Sequence, residues 1–388
     1  MDFFGSLHVN RHGRYHLGVA RSRLVLALSA ALAGAVGAVA LATTQTQEIS
    51  QNPETPETSE SLGERMGINE GVSVPKRLIE REGLGLPELA PLLQADATAV
   101  RSTGARWVRL VSSNHPFTSQ AAFAGFEAMD QWVMAVQDEG LDAVVVLSPW
   151  SGTATALETS VYRVDDEPSW FAWVGSMVER YDGDGVDDMP GLLRAIRHWE
   201  VDNEPDLKNS LAPRGADLDP TNFCTVEEYL HVLRLTSQAI RQADPSAKIL
   251  NGGIYRPHRP HGQRYLEDIM AGAGDSIDIV SVHAYPNDLR GFERAVDNAL
   301  AAAGDKPLWI TETSVSSTDD EAWHAEMLES MVTLAFERGV EKLFWHSLND
   351  PPKRAQRRVG MSQHSLYHYG MVPKPAVEVW MRLASGSP

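Results

Sequence analysis

The feature that most limits what this chain can fold into is a regular beat running from Arg65 to the carboxyl end. Short apolar runs, each too brief for a helix, alternate with longer amphipathic ones. Residues 66–69, 105–111, 141–147, 195–203, 248–251, 277–285, 307–313 and 342–347 read as strands. Residues 86–103, 120–139, 168–181, 226–244, 293–303, 320–338 and 375–384 read as helices. The fourth helical run opens with a capping box, Thr225 and Glu228. The third strand run is apolar nearly throughout, as a strand covered on both faces must be. An open doubly wound sheet would need a glycine-rich phosphate turn after the first strand, and Gly67-Ile68-Asn69-Glu70-Gly71 is not one. The expectation is an α/β fold in which a parallel sheet closes on itself, a (β/α)8 TIM barrel.

Such a barrel gathers the carboxyl ends of all its strands at one face, where its chemistry is found. The fourth strand run breaks off at Asn203-Glu204-Pro205, because proline has no ladder hydrogen to give. Glu204 therefore stands at a strand mouth, with Asn203 beside it. Glu312 closes the seventh run in the same manner. Taken singly, each glutamate fits a cap or an ion pair equally well. Brought to one face, the two fit the paired carboxyls that cleave glycosidic bonds. Arg109, His283, Tyr285 and Trp345 should share the cavity, His283 and Tyr285 having the parity of inward positions. Plainer readings stand beside these: an interior ion pair for Arg109, and ordinary core for His283 and Trp345.

With Asn203-Glu204-Pro205, His283-Ala284-Tyr285, Thr311-Glu312 and Trp345 in this strand order, the chain resembles the retaining glycoside hydrolases of the (β/α)8-barrel clan, clan A. Within it, family 39 (β-xylosidases and α-L-iduronidases) and family 5 are the nearest in pattern. The resemblance spans residues 65–384. It implies that Glu204 is the general acid/base and Glu312 the nucleophile, their carboxyls about 5–5.5 Å apart. It implies further that Asn203 holds the sugar 2-hydroxyl and that Tyr285 and Arg109 keep Glu312 ionised. Trp345 would offer an apolar face to a sugar ring, and Glu204 would titrate high enough to act as an acid. The implied substrate is an oligo- or polysaccharide, with no cofactor required. Two positions depart from the family pattern: Asp202 precedes Asn203, and Thr313 follows Glu312 where glycine is common. A transglycosylase remodelling a surface polysaccharide would use the same residues. A non-catalytic glycan receptor would have no use for two mutually repelling acids.

Outside the barrel, Arg11, Arg14, Arg21 and Arg23 precede an uncharged apolar stretch at 24–42 that ends in Ala40-Leu41-Ala42. Residues 1–42 are therefore read as a signal peptide or an N-terminal membrane anchor, with export of the remainder. Residues 43–62, rich in Thr, Gln, Glu, Ser and Pro, are read as a flexible linker, and 63–388 as the catalytic domain. The net charge of −18 argues against nucleic acid as a partner. The single cysteine, Cys224, allows neither an intrachain disulfide nor a cysteine metal cluster. The loop carrying Asp182, Asp184, Asp187 and Asp188 reads as a structural calcium site or as a solvated acidic turn. Two basic loops, 255–261 and 353–358, follow strands five and eight. They form either a rim for a uronate-containing glycan or solvated loops paired locally.

Overall fold

The computed structural model describes residues 61–69, 71–72, 83–110, 126–148, 167–206, 225–318, 320–351 and 363–386. The stretch read as signal or anchor, nearly all of the linker, Cys224 and the basic loop 353–358 lie outside the described residues. Among the described residues no helix is long and apolar enough to cross a membrane.

Eight parallel strands pair in chain order: β1 (Met66–Asn69), β2 (Trp107–Leu110), β3 (Asp142–Leu147), β4 (His198–Asn203), β5 (Lys248–Tyr255), β6 (Val280–Ala284), β7 (Leu308–Thr313) and β8 (Lys342–His346). β8 closes the sheet on β1, with Met66 opposite Leu343 and Asn69 opposite His346. The helices are α1 (Leu86–Ser102), α2 (Glu127–Asp138), α3 (Glu167–Glu179), α4 (Val226–Ala243), α5 (Pro260–Ala273), α6 (Leu289–Ala303), α7 (Glu321–Glu337) and α8 (Pro375–Ser385). The (β/α)8 barrel expected from the alternation is the fold. One helix, α5, had no counterpart in the sequence reading. Its first residue is Pro260, whose missing N–H costs nothing at a helix start.

Local chemistry sets these elements. Thr225 Oγ1 accepts from Glu228 N at 3.2 Å, and Glu228 Oε2 accepts from Thr225 N at 2.9 Å, so the expected capping box starts α4. Asp288 caps α6 through Gly291 N, and Asp320 caps α7 through Ala322 N and Trp323 N. Strand residues alternate between two cores. Val108, Val145, Val201, Val282, Ile310, Leu343 and Trp345 pack outward under the helices. Trp107, Val144, Leu250, Ile279, Trp309 and Phe344 fill the barrel interior as a separate apolar cluster. Nearer the carboxyl ends of the strands the inward positions turn polar: Asn69, Arg109, Glu200, Ser281, His283 and Thr311 are all buried.

Alternation breaks twice at that polar end. Between β6 and β7, Val282 faces Ile310 while His283 faces Glu312, so β7 carries one extra residue. This bulge turns Thr311 and Glu312 in succession toward the interior. At the end of β4, Asp202 (φ 71°) and Glu204 (φ 48°) take the left-handed conformation. A side chain there costs about 1–3 kcal/mol, a strain that surrounding contacts must hold in place.

Candidate active site

The site is assembled around Arg109, which projects from β2 and is wholly buried. Its Nε and Nη2 donate to the two oxygens of Glu200 at 2.6 and 2.9 Å, a two-pronged pairing suited to a buried guanidinium. Glu200 lies three residues before the end of β4 and also accepts from Gly253 N at 2.8 Å and Ser281 Oγ at 3.2 Å. Arg109 has donors left for the residues above: Asn203 Oδ1 at 2.8 Å, Asn69 Oδ1 at 3.1 Å and Glu312 Oε2 at 3.4 Å. Burial alone would depress this guanidinium, but Glu200, Glu312 and Glu204 together raise it above its ordinary value.

Glu312 sits on this platform. Asn69 Nδ2 donates to its Oε2 at 2.9 Å, and the Tyr285 hydroxyl donates to its Oε1. Burial, and then the Glu312 and Glu204 carboxyls, push the Tyr285 phenol far above its usual range, so it remains a donor. With Arg109 the carboxyl has three donors and keeps an edge toward the cavity.

Glu204 lies across from it. One carboxyl oxygen of Glu204, one of Glu312 and a ring nitrogen of His283 all fall within 4.8 Å of one another. His283 Nδ1 is 2.8 Å from Glu204 Oε1. Burial lowers the imidazole to about 4, against the pull of Glu312, so His283 is neutral at pH 7. Burial likewise lifts Glu204 to about 7, against the opposing fields of Arg109 and His346. Burial thus keeps Glu204 able to hold a proton near neutrality, as a general acid must.

Six of the seven residues singled out by sequence meet here: Glu204, Glu312, Arg109, Asn203, His283 and Tyr285. The seventh does not. Trp345 takes the outward parity of β8, is fully buried, bonds His364 O through Nε1 at 3.0 Å and packs against His324 of α7. The inward residue at this strand end is its neighbour His346, with Nδ1 3.0 Å from Asn69 Nδ2. Arg109 and His283 are wholly buried, Arg109 bonding Glu312 and His283 lying 2.8 Å from Glu204.

Asp202, the first departure from the family pattern, turns aside. Its Oδ1 accepts from Ser148 Oγ at 2.9 Å and Asn203 N at 2.7 Å, and burial raises it to about 8. Asn69, Glu200, His346 and Gly253 were not foreseen. The strand-end position of Asn69 was the one available signal. On the opposite face, Glu179, Asp182 and Asp184 offer oxygens within 4.8 Å of one another. In the same loop Asp188 accepts from Gly183 N and Gly185 N, as in an acidic turn that satisfies its own backbone.

Comparison with known proteins follows the same lines. Residues 195–372 match the protein-family profile described as glycosyl hydrolase catalytic core. A family 39 glycoside hydrolase from the gut symbiont Bacteroides cellulosilyticus WH2 superposes with a TM-score of 0.56 at 17% identity, over 84% of this chain and 65% of that one. A monomeric β-xylosidase from Caulobacter crescentus CB15 gives 0.57 at 17% identity, over 84% and 68%. An exo-β-1,4-mannosidase from Opitutaceae bacterium strain TAV5 gives 0.59 at 16% identity, over 83% and 59%. Identities this low establish the shared barrel alone. The chain spans less than two thirds of the first and third of these relatives. Among curated proteins, none matches this sequence.

Proposed function

We propose that this chain, a (β/α)8 barrel whose residues 195–372 match a glycosyl hydrolase catalytic core, is a retaining O-glycosidase. The observation that carries the reading is the approach of Glu204 and Glu312 oxygens to within 4.8 Å. Carboxyls set this close favour direct attack by one of them, which takes about 5–5.5 Å between the groups, over inversion, which takes about 6.5–9.5 Å to admit a water.

In the first step Glu312 attacks the anomeric carbon from one face. The glycosidic C–O bond breaks as Glu204 passes its proton to the leaving oxygen, and a glycosyl ester forms on Glu312. In its Nδ1–H tautomer neutral His283 donates to Glu204 Oε1, which leaves Oε2 and its proton for the leaving group. In the second step Glu204, now anionic, takes a proton from water as that water attacks the anomeric carbon. The ester bond breaks and Glu312 returns as carboxylate. Asn203, oriented by Arg109 through its Oδ1, keeps its amide hydrogens for a sugar hydroxyl.

The decisive experiment follows product configuration by NMR on whichever aryl glycoside or oligosaccharide the protein cleaves. Retention in the first product is expected. Glu204→Gln should lower kcat by about 10²–10⁴ on substrates with poor leaving groups, and Glu312→Gln should abolish turnover. An inverted first product, or full activity without Glu312, would overturn the proposal.

The remaining parts of the proposal rest on sequence. Export is supported by residues 1–42 and is tested by the mass of protein recovered outside the cytoplasm, expected to begin at Thr43. A uronate-containing glycan is supported by the basic loop after β5. Calcium at the 182–188 loop is supported by its converging carboxylates. A higher melting temperature in calcium than in chelator is the expected result, and equal melting would remove that idea.

A further inference from the structure

Arg256, whose charge acts on Glu204, belongs to a group of cations that the proposed chemistry does not use. Arg256 follows the end of β5 in a left-handed turn (φ 50°), fixed by its N–H donating to His283 O at 2.9 Å. Its guanidinium lies 4.7 Å from the centre of the Tyr255 ring, and its Nε is buried without a hydrogen-bond partner. Arg259 lies three residues further on, exposed at the start of α5. Arg294 comes from the neighbouring helix. Asn298 of α6 donates to Pro257 O at 3.0 Å, and Arg294, one turn earlier on the same helix face, is thereby set over the same loop.

His258, between Arg256 and Arg259, is held down to about 4, first by burial and then by Arg259, Arg256 and Arg294. Asp288 is the acid acting against them, and its Oδ1 already accepts from Gly291 N at 2.7 Å. None of the three arginines makes an ion pair among the described residues. In a chain of net charge −18, three arginines without a carboxylate partner among the described residues, on one loop and its neighbouring helix, favour an anionic ligand.

The position of the group relative to the chemistry is fixed by hydrogen bonds. Tyr255 N donates to Asp206 Oδ1 at 3.1 Å, and His261 Nε2 is 3.3 Å from Asp206 O. The loop is thus tied to the segment that carries Glu204, and the charge of Arg256 acts on Glu204 directly. Glu204 is the residue that meets the leaving oxygen. We propose that Arg256, Arg259 and Arg294 form an anion subsite on the leaving-group side of the cleavage point, taking a sugar unit that bears a carboxylate or a sulfate ester. The assignment of a side rests on Glu204 as the acid; the presence of an anion subsite does not.

Binding separates the two. In the full chain carrying Glu312→Gln, titration calorimetry is run with a tetragalacturonate, a heparin-derived tetrasaccharide and neutral xylotetraose. At low ionic strength at least one acidic probe should bind about tenfold or more tightly than the neutral one. The advantage should shrink as salt rises and vanish when Arg256→Gln, Arg259→Gln and Arg294→Gln are added. The exposed pair Arg259→Gln and Arg294→Gln alone should reduce it with melting unchanged. Preference for tetragalacturonate assigns a carboxylate, and preference for the heparin fragment assigns a sulfate.

No preference in the parent, or a preference surviving all three substitutions, overturns the subsite. The side is tested on a cleavable aryl glycoside. A carboxylate on the aryl group should raise kcat/KM in the wild type and not in the triple variant; equal effects in both overturn the placement. Acidic preference without any turnover would sink the glycosidase reading and leave the subsite. Turnover without acidic preference does the reverse.

Discussion

Gly253 has no side chain because His283 occupies the space one would need. A Cβ at this position would lie 2.0 Å from His283 Nε2, so the ring or the backbone would have to shift. The same Nε2 is buried without a hydrogen-bond partner, so the imidazole is located by packing against Gly253 on one side and by Glu204 on the other. Gly253→Ala should therefore push the ring toward the carboxyl. Displacements near 1 Å at a reacting group cost about 10²-fold in rate, and the loss should appear in kcat more than in KM. The pH profile tells this from simple damage to packing. In the proposed chemistry Glu204 must be protonated to act, and burial lifts it to about 7, so wild-type kcat should fall as pH rises through that value. In Gly253→Ala the alkaline limb should move as well. A lower rate with an unmoved limb would mean that His283 does not set the acid.

At the scale of strands and helices, Trp345 and Glu312 show where alternation can and cannot be read. The eight-strand beat, most helix limits and both strand-end glutamates were legible, because they depend on periodicity and on proline as a stop signal. Which way a strand-end residue faces was less so. Plain alternation from Trp309 and Thr311 would send Glu312 out among the helices, and only the bulge on β7 brings it inward. A bulge depends on the neighbouring strand's register, which a single sequence does not display. On β8 no such break intervenes, so His346 faces inward and Trp345 does not. The extension of β5 was hidden by its two glycines, which blur the apolar pattern, and α5 by the proline and histidines at its start. Trp345→Ala should cost about 3–5 kcal/mol of stability, the usual penalty for emptying a buried aromatic site. Trp345→Phe should lower the urea midpoint while leaving KM unchanged. A raised KM with unaltered stability would return this side chain to the sugar cavity.

For the whole molecule, burying so many titratable groups gives stability a definite dependence on pH. Asp202 is raised to about 8, and Asp206 and Glu204 to about 7, in each case first by burial. Between their unfolded values near 4 and these folded values, the native state holds protons that the unfolded chain has released. Stability contributed by these groups is therefore lost as pH rises through 7 to 8. His198, His258, His283, His324 and His364 shift the other way, to about 4, again first by burial. Below an unfolded value of 6.5 the unfolded chain takes up protons that these rings refuse, so their contribution is lost as pH falls from 6.5 toward 4. In that lower window five histidines outweigh three carboxyls, and stability should rise with pH. Above 6.5 the histidine contribution is level and the carboxyls alone remain, so stability should fall. Urea melts across pH 5–9 should therefore peak near pH 6.5–7, and Asp202→Asn should flatten the alkaline side by removing the group that titrates last. A midpoint still climbing between pH 7 and 8 would show that these carboxyls are ionised in the native state. It would also remove the protonated Glu204 on which the proposed chemistry depends, since the same burial produces both.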